Sequence, residues 1–197
     1  SADTTSIKID IDDEDTFANA KTRTLSSLGS GTTYADATGI DVTTATALVD
    51  GTIAIRITAF DAAGNTATQE VLKAAGTFNK DTVAPLGYSV NIDQAYINDA
   101  NKAAMSFTFT SAEVGATYNY SVDDTNGGTS PVTGSDTITS ANQQVSGINV
   151  TTLNDDTLTL TVYLTDTAAN QGSNAQDTVV KDVVAPNAPT AAAIVAG

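Results

Sequence analysis

The chain has 197 residues, 41% of them hydrophobic, which is enough for packed cores and long enough for two domains of about 100 residues. Its formal net charge is −15, with eight Lys and Arg in all, so neither nucleic acid nor an anionic membrane surface suits it as a partner. Cys and His are both absent, which removes disulfides, thiolate zinc sites, cysteine nucleophiles and the commonest general base.

Thr, Val and Ile recur throughout, and β-branched side chains favour the pleated surface of a strand over a helix. Of the 23 acidic residues only Glu14, Glu70 and Glu113 are Glu; the other 20 are Asp, a short side chain suited to turns and to hard-cation sites. No apolar run approaches the roughly 20 residues needed to cross a bilayer, so no membrane insertion by this segment is expected. The chain opens SADTT without Met and reads as an excerpt of something longer.

In chain order, TSIKIDIDDED (5–15) comes first and alternates apolar and polar residues as a strand does. Its DIDDED portion lacks the Gly at position 6 and the Glu at position 12 of a helix-loop-helix calcium loop, and no helical pattern flanks it. DGTIAIRITAFD (50–61) alternates again and ends in the turn DAAGN (61–65), and an extended segment then leads to NKDTVAPL (79–86). Next come GYSVNI (87–92), a turn around Asn98–Asn101, AAMSFTFT (103–110), the turn SAEVG and ATYNYSV (116–122). DDTNGG marks a tight turn, and weaker strands are expected near 136–139 and 143–147. The series closes with strands at 157–165 and 175–180, joined by DTAAN (166–170), before VKDVVAPN (180–187).

Two stretches thus occur twice. Asp61 and Asn65 recur as Asp166 and Asn170 at a separation of 105, and Lys80 recurs as Lys181 at 101. TSIKIDIDDED also matches ATYNYSVDDTN in pattern, which sets Asp12 opposite Asp123. Self-similarity over about 100 residues means tandem domains rather than a solenoid, whose repeats run about 20–50. Pro85 and Pro186 hold the preceding residue extended and mark the boundaries. The expected organisation is a first repeat at 1–85, a second at 86–187, and the start of a further repeat or linker at 188–197. About seven short strands in the second repeat, with turns every 8–12 residues, predict an all-β fold of tandem immunoglobulin-like Greek-key β-sandwiches. The first repeat either has its first two strands upstream of residue 1 or forms a shorter complete sandwich from Ser6.

The pattern D-x-x-G-N after an alternating strand, closing on K-D-x-x-A-P, resembles the tandem bacterial immunoglobulin-like repeats of giant adhesins exported by type I secretion, the repeats-in-toxin and biofilm-type surface proteins. The resemblance runs through Asp61, Gly64, Asn65, Lys80, Asp81 and Pro85, then Asp166, Asn170, Lys181, Asp182 and Pro186. It implies an extracellular, cell-surface extender that holds a terminal binding domain away from the cell, with calcium stiffening the domain junctions. Its partners would be neighbouring repeats of the same chain, and a host or surface glycan or protein would be gripped by other domains. One departure is Ala169 where the first repeat has Gly64, which predicts a strained or altered second turn.

Each DxxxN turn has two readings. It is a hairpin capped by its own Asp, or its Asp also serves a cation at the domain junction. Sandwich topology brings the final hairpin and the loop between the second and third strands to the entry pole, hence Asp166 and Glu113, with Asp81 arriving on the linker. Asp50, Asp12 and Asp13 come from the exit pole of the first repeat. A second cluster, Asp123, Asp155, Asp156 and Asp182, with Asp124 beside it, would serve the junction after the second repeat. Carboxylates converging in a chain this negative repel one another without a cation, and hard oxygen ligands suit calcium rather than zinc.

An enzyme is not expected, because paired Asp at turns fit loops or metal ligands better than a glycosidase pair. The rival reading is a carbohydrate- or protein-binding adhesin module built on Tyr34, Tyr88, Tyr96, Tyr118, Tyr120 and Tyr163, although Tyr118 and Tyr120 share one strand face and read as packing.

Overall fold

In a computed structural model of the chain, residues 4–26 and 48–188 are described. Tyr34 and the tail at 189–197 lie outside them. The chain divides into two compact units between Thr82 and Val83. Both are all-β, and among the described residues the one helical element is a 3₁₀ turn at Lys73–Ala75.

Unit 1 is built on β1 (Thr4–Asp12), β2 (Lys21–Ser26), β3 (Gly51–Thr52), β4 (Ala54–Asp61), β5 (Thr66–Val71) and β6 (Asn79–Lys80). Four of these form an antiparallel sheet in the order β2-β1-β4-β5, and β3 pairs with β6. One sheet face carries Ile7, Ile9 and Ile11, opposite Ala59, Ile57 and Ile55. These residues are half-buried, except that Ile57 is 41% exposed. The other face carries Lys8, Asp10 and Arg56.

Unit 2 has β7 (Ser89–Ile92), β8 (Met105–Thr110), β9 (Thr117–Asp124), β10 (Val132–Thr137), β11 (Gln144–Ile148), β12 (Thr157–Thr165) and β13 (Ala175–Val180). The seven strands form two sheets, β10-β9-β12-β13 and β11-β8-β7, the strand order of an immunoglobulin-type Greek key. Strict alternation in TLTLTVYLT buries Leu158, Leu160, Val162 and Leu164 on one face of β12 while its Thr residues stay half-exposed. These residues meet Met105, Phe107 and Phe109 of the other sheet in one core. Tyr118 and Tyr120 stack on each other and pack edge-on or tilted against Phe109 and Phe107, so both are packing residues as their shared face suggests. One strand differs from expectation: β10 begins at Val132 rather than near 136, because VTGSDT alternates weakly and Gly134 interrupts its pattern.

The register ties the two units together. Adding 111 to β1 positions and 105 to β4 positions turns the pairs Ile7–Ala59, Ile9–Ile57 and Ile11–Ile55 into Tyr118–Leu164, Tyr120–Val162 and Val122–Leu160, which are the pairs of β9 and β12. The same shift carries β1–β2 onto β9–β10, since Ile9–Arg23 becomes Tyr120–Gly134. Strand β1 therefore holds the third-strand position of the sandwich, not the first. Among the described residues, unit 1 has no counterpart of the sheet β11-β8-β7.

Candidate functional site

The motif K-D-x-x-A-P is held by a clasp that both units repeat. In unit 1 the Lys80 ammonium pairs with Asp50 Oδ1 at 2.5 Å. Asp50 Oδ2 accepts hydrogen bonds from the Thr82 N–H (2.9 Å) and the Thr82 hydroxyl (2.7 Å). Lys80, with Thr82, holds the Asp50 carboxyl down at about 2. In unit 2 the Lys181 ammonium pairs with Asp155 Oδ1 at 3.2 Å and donates to the Leu153 carbonyl at 2.5 Å, while Asp155 Oδ2 accepts from the Val183 N–H at 3.1 Å. That backbone bond, with Lys181, lowers the Asp155 carboxyl. Asp50 and Asp155 are 105 apart, and Lys80 and Lys181, like Thr82 and Val183, are 101 apart. In each unit, then, the Asp that opens the long strand grips the residue two past the Lys of the exit segment.

The Lys181 side chain is only 3% exposed, so the lysine end of this clasp is shielded from water in unit 2, while Asp155 is 30% exposed. The exit segment there is bonded further: the Lys181 N–H donates to Asp156 O (2.8 Å), the Ile97 N–H to Val180 O (2.9 Å) and the Asp182 N–H to Ile97 O (2.9 Å).

The duplicated turn is a closed hydrogen-bond unit in both copies. Asp61 Oδ1 accepts from the N–H groups of Ala63 and Asn65, and Oδ2 from the Asn65 amide at 2.6 Å. Asp166 repeats this with Ala168 and Asn170, its Oδ2 to amide distance being 2.8 Å. In each copy the Asn side chain is the foremost cause of a lowered Asp carboxyl. The expected change of conformation at Ala169 is absent: it takes φ 71° where Gly64 takes φ 87°, with the same backbone bonds around both.

The remaining candidates are spread over local caps. Asp12 accepts from the Glu14 and Asn19 N–H groups at 3.3 and 3.2 Å, and Asp13 from the Val49 N–H at 2.6 Å. Asp123, Asp156 and Asp182 accept from the N–H groups of Asp124, Thr157 and Val184, at 2.7 to 2.9 Å. Glu113 and Asp81 are exposed. Among the described residues, no three acidic side chains form a group able to hold a metal ion. The carboxylates of Asp50, Asp155, Asp12, Asp13, Asp123, Asp156 and Asp182 accept from lysines or backbone N–H groups.

Two residues outside the candidate metal set fix the entry side of unit 2. The Tyr88 hydroxyl donates to the Ser173 carbonyl and accepts from the Leu164 N–H at 3.1 Å, tying the β12–β13 connection to β12. Gly172 lies so close to the Pro85 carbonyl that a Cβ there would collide with it. Lys80 and Lys181 were readable in the sequence as boundary markers; their ion pairs with Asp50 and Asp155 were not, since about 30 residues separate the partners.

No family model matches the chain, and no curated protein matches it. Solved structures do. A tetra-tandem repeat in the extending region of a large adhesion protein is similar over 92% of this chain and 42% of its own, at 20% identity and a TM-score of 0.41. A 1.5-MDa bacterial ice-binding adhesin, described for its retention at the host cell surface, is similar over 91% of this chain and 54% of its own, at 12% identity and a TM-score of 0.40. The BSP domain of a biofilm associated protein is similar over 93% of this chain and 26% of its own, at 19% identity and a TM-score of 0.31. The chain thus spans about half or less of each structure it resembles, and those structures are repeat regions or domains of large adhesins and biofilm-associated proteins.

Proposed function

We propose that the chain is a pair of consecutive extender repeats from a large bacterial surface adhesin, a non-enzymatic spacer acting outside the cell with neighbouring repeats as its partners. The observation that carries this reading is the duplicated clasp. Two units with one strand register each bind their own exit segment to the start of their own long strand, so tension on the exit meets an ion pair and backbone hydrogen bonds before it reaches the core. Concatemers of one, two and four copies test it by small-angle scattering. An extender's maximum dimension grows in proportion to copy number, whereas growth near its square root, as in a flexible chain, retires the reading.

Calcium is a second reading, favoured by the net charge of −15 and by the Asp that each exit segment carries, Asp81 and Asp182. This reading needs Asp50, Asp12, Asp13 and Asp166 to exchange their present lysine, amide or backbone N–H partners for the ion, with the exposed Asp81 and Glu113 as further donors. Thermal unfolding in millimolar calcium, in excess chelator and in magnesium decides it. The expected outcome is a calcium-specific rise in melting temperature that Asp81→Ala reduces, and a saturated site would contribute a few kcal/mol. An unchanged melting temperature removes calcium and leaves the concatemer test standing.

A further inference from the structure

The outer face of the unit 2 sheet carries an open groove of about 520 Å³, within the roughly 300–1,000 Å³ of small-ligand sites. Its floor follows from the register. Tyr118, Val122, Leu160 and Val162 point into the core, so the alternate residues of the same strands point outward. Ser135, Asn119 and Tyr163 stand in one cross-strand row, and Thr133, Ser121 and Thr161 in the next. Gln171 and Asn174, from the connection that Tyr88 pins, close one end.

None of the residues lining this groove is charged. They offer amides and hydroxyls, which both donate and accept, beside a half-buried tyrosine ring with an apolar face and a polar tip. The fold does not require this composition. The register sets Lys8, Asp10, Thr22 and Arg56 of unit 1 at the positions of Asn119, Ser121, Thr133 and Thr161. There the face is filled by its own ion pairs. Asp10, 1% exposed, accepts from Thr22 at 2.6 Å and from Arg56 at 2.8 and 3.1 Å, with Lys8 at 3.1 Å. One repeat satisfies this face internally, and the other leaves it open and neutral.

We propose that the groove formed by Asn119, Ser121, Tyr163 and their neighbours binds neutral oligosaccharides. Vicinal hydroxyls would pair with the amides and hydroxyls, and the C–H face of a sugar ring would lie on Tyr163. An anionic glycan finds no cation in the groove and meets a chain of net charge −15. The proposal is independent of the extender reading, because it concerns one face of one unit.

The test is titration of the ¹⁵N-labelled full chain with gluco-, galacto-, manno- and N-acetylglucosamine hexasaccharides, with oligogalacturonate as the anionic probe. The expected result is saturable shifts at Asn119, Ser121 and Tyr163 with at least one neutral probe, and unmoved signals at Lys8 and Asp10. Tyr163→Ala should weaken that binding at least tenfold and Asn119→Ala severalfold. Should Tyr163→Ala not fold, the wild-type shift map decides alone. The proposal is overturned if no neutral probe shifts these residues, if oligogalacturonate binds them equally well, or if a folded Tyr163→Ala binds unchanged.

Discussion

Ala169 carries a conformation that its side chain disfavours. It sits at φ 71°, where the equivalent residue of unit 1 is Gly64, because the carboxylate and amide of Asp166 and Asn170 close the turn around it. A left-handed residue other than Gly costs roughly 1–2 kcal/mol, partly offset by the extra chain entropy of Gly in the unfolded state. Ala169→Gly is therefore expected to stabilise unit 2 by about 1 kcal/mol in denaturant unfolding, and a neutral or destabilising result would remove the strain argument. The hairpin-cap role of Asp61 and Asp166 was legible in the sequence, since both partners lie within four residues. Asp50 and Asp155 were not legible in the same way. In the sequence they are isolated acids at strand starts, and only the pairing of exit to strand start brings Lys80 and Lys181 to them.

At the scale of elements, the clasp makes the exit segment part of the sandwich rather than a loose tail. Lys181 is the test position in unit 2, because its ammonium is buried with two partners, Asp155 and the Leu153 carbonyl. Lys181→Ala leaves that carbonyl without its donor and the carboxylate without its cation, at an expected cost of about 2 kcal/mol in unfolding free energy. Limited proteolysis should then cut first near Asp182–Ala185, whereas unchanged cutting would mean that the bridge of Ile97 to the exit strand suffices alone. Strand existence was read well where alternation is strict: 157–165 and 175–180 are β12 and β13 as expected. Strand β10 was misplaced because VTGSDT alternates weakly and contains Gly134, whose missing side chain makes room for the Tyr120 ring.

For the whole molecule, the Asp excess sets the acid limit of stability. Hydrogen bonds and ion pairs lower the carboxyls of Asp50, Asp61, Asp124, Asp155 and Asp166, and at Asp10 the bonds from Thr22, Arg56 and Lys8 outweigh the upward push of burial. A carboxyl lowered on folding binds its proton more readily in the unfolded chain, so its contribution is complete above the unfolded value of about 4 and is lost as pH falls through the folded value. For Asp50 that window runs from about 4 down to about 2. The melting temperature in 0.15 M salt should fall steeply below about pH 4, and Asp50→Asn should make the fall shallower. A rise on acidification would instead mean that relief of like-charge repulsion governs the fold.

The sequence by itself determined the all-β class, the repeat, the matched register of β1 with β9 and the capped turns. Each is set by local alternation or by partners a few residues apart. Only the tertiary structure decided which partners the acidic residues meet and where an open face lies. Asp50 meets Lys80 and Asp155 meets Lys181 through strand pairing over about 30 residues, and Asn119, Ser135 and Tyr163 share a row only because three strands align them. Composition counts these groups, but long-range pairing determines which of them neutralise one another and which are left for a ligand.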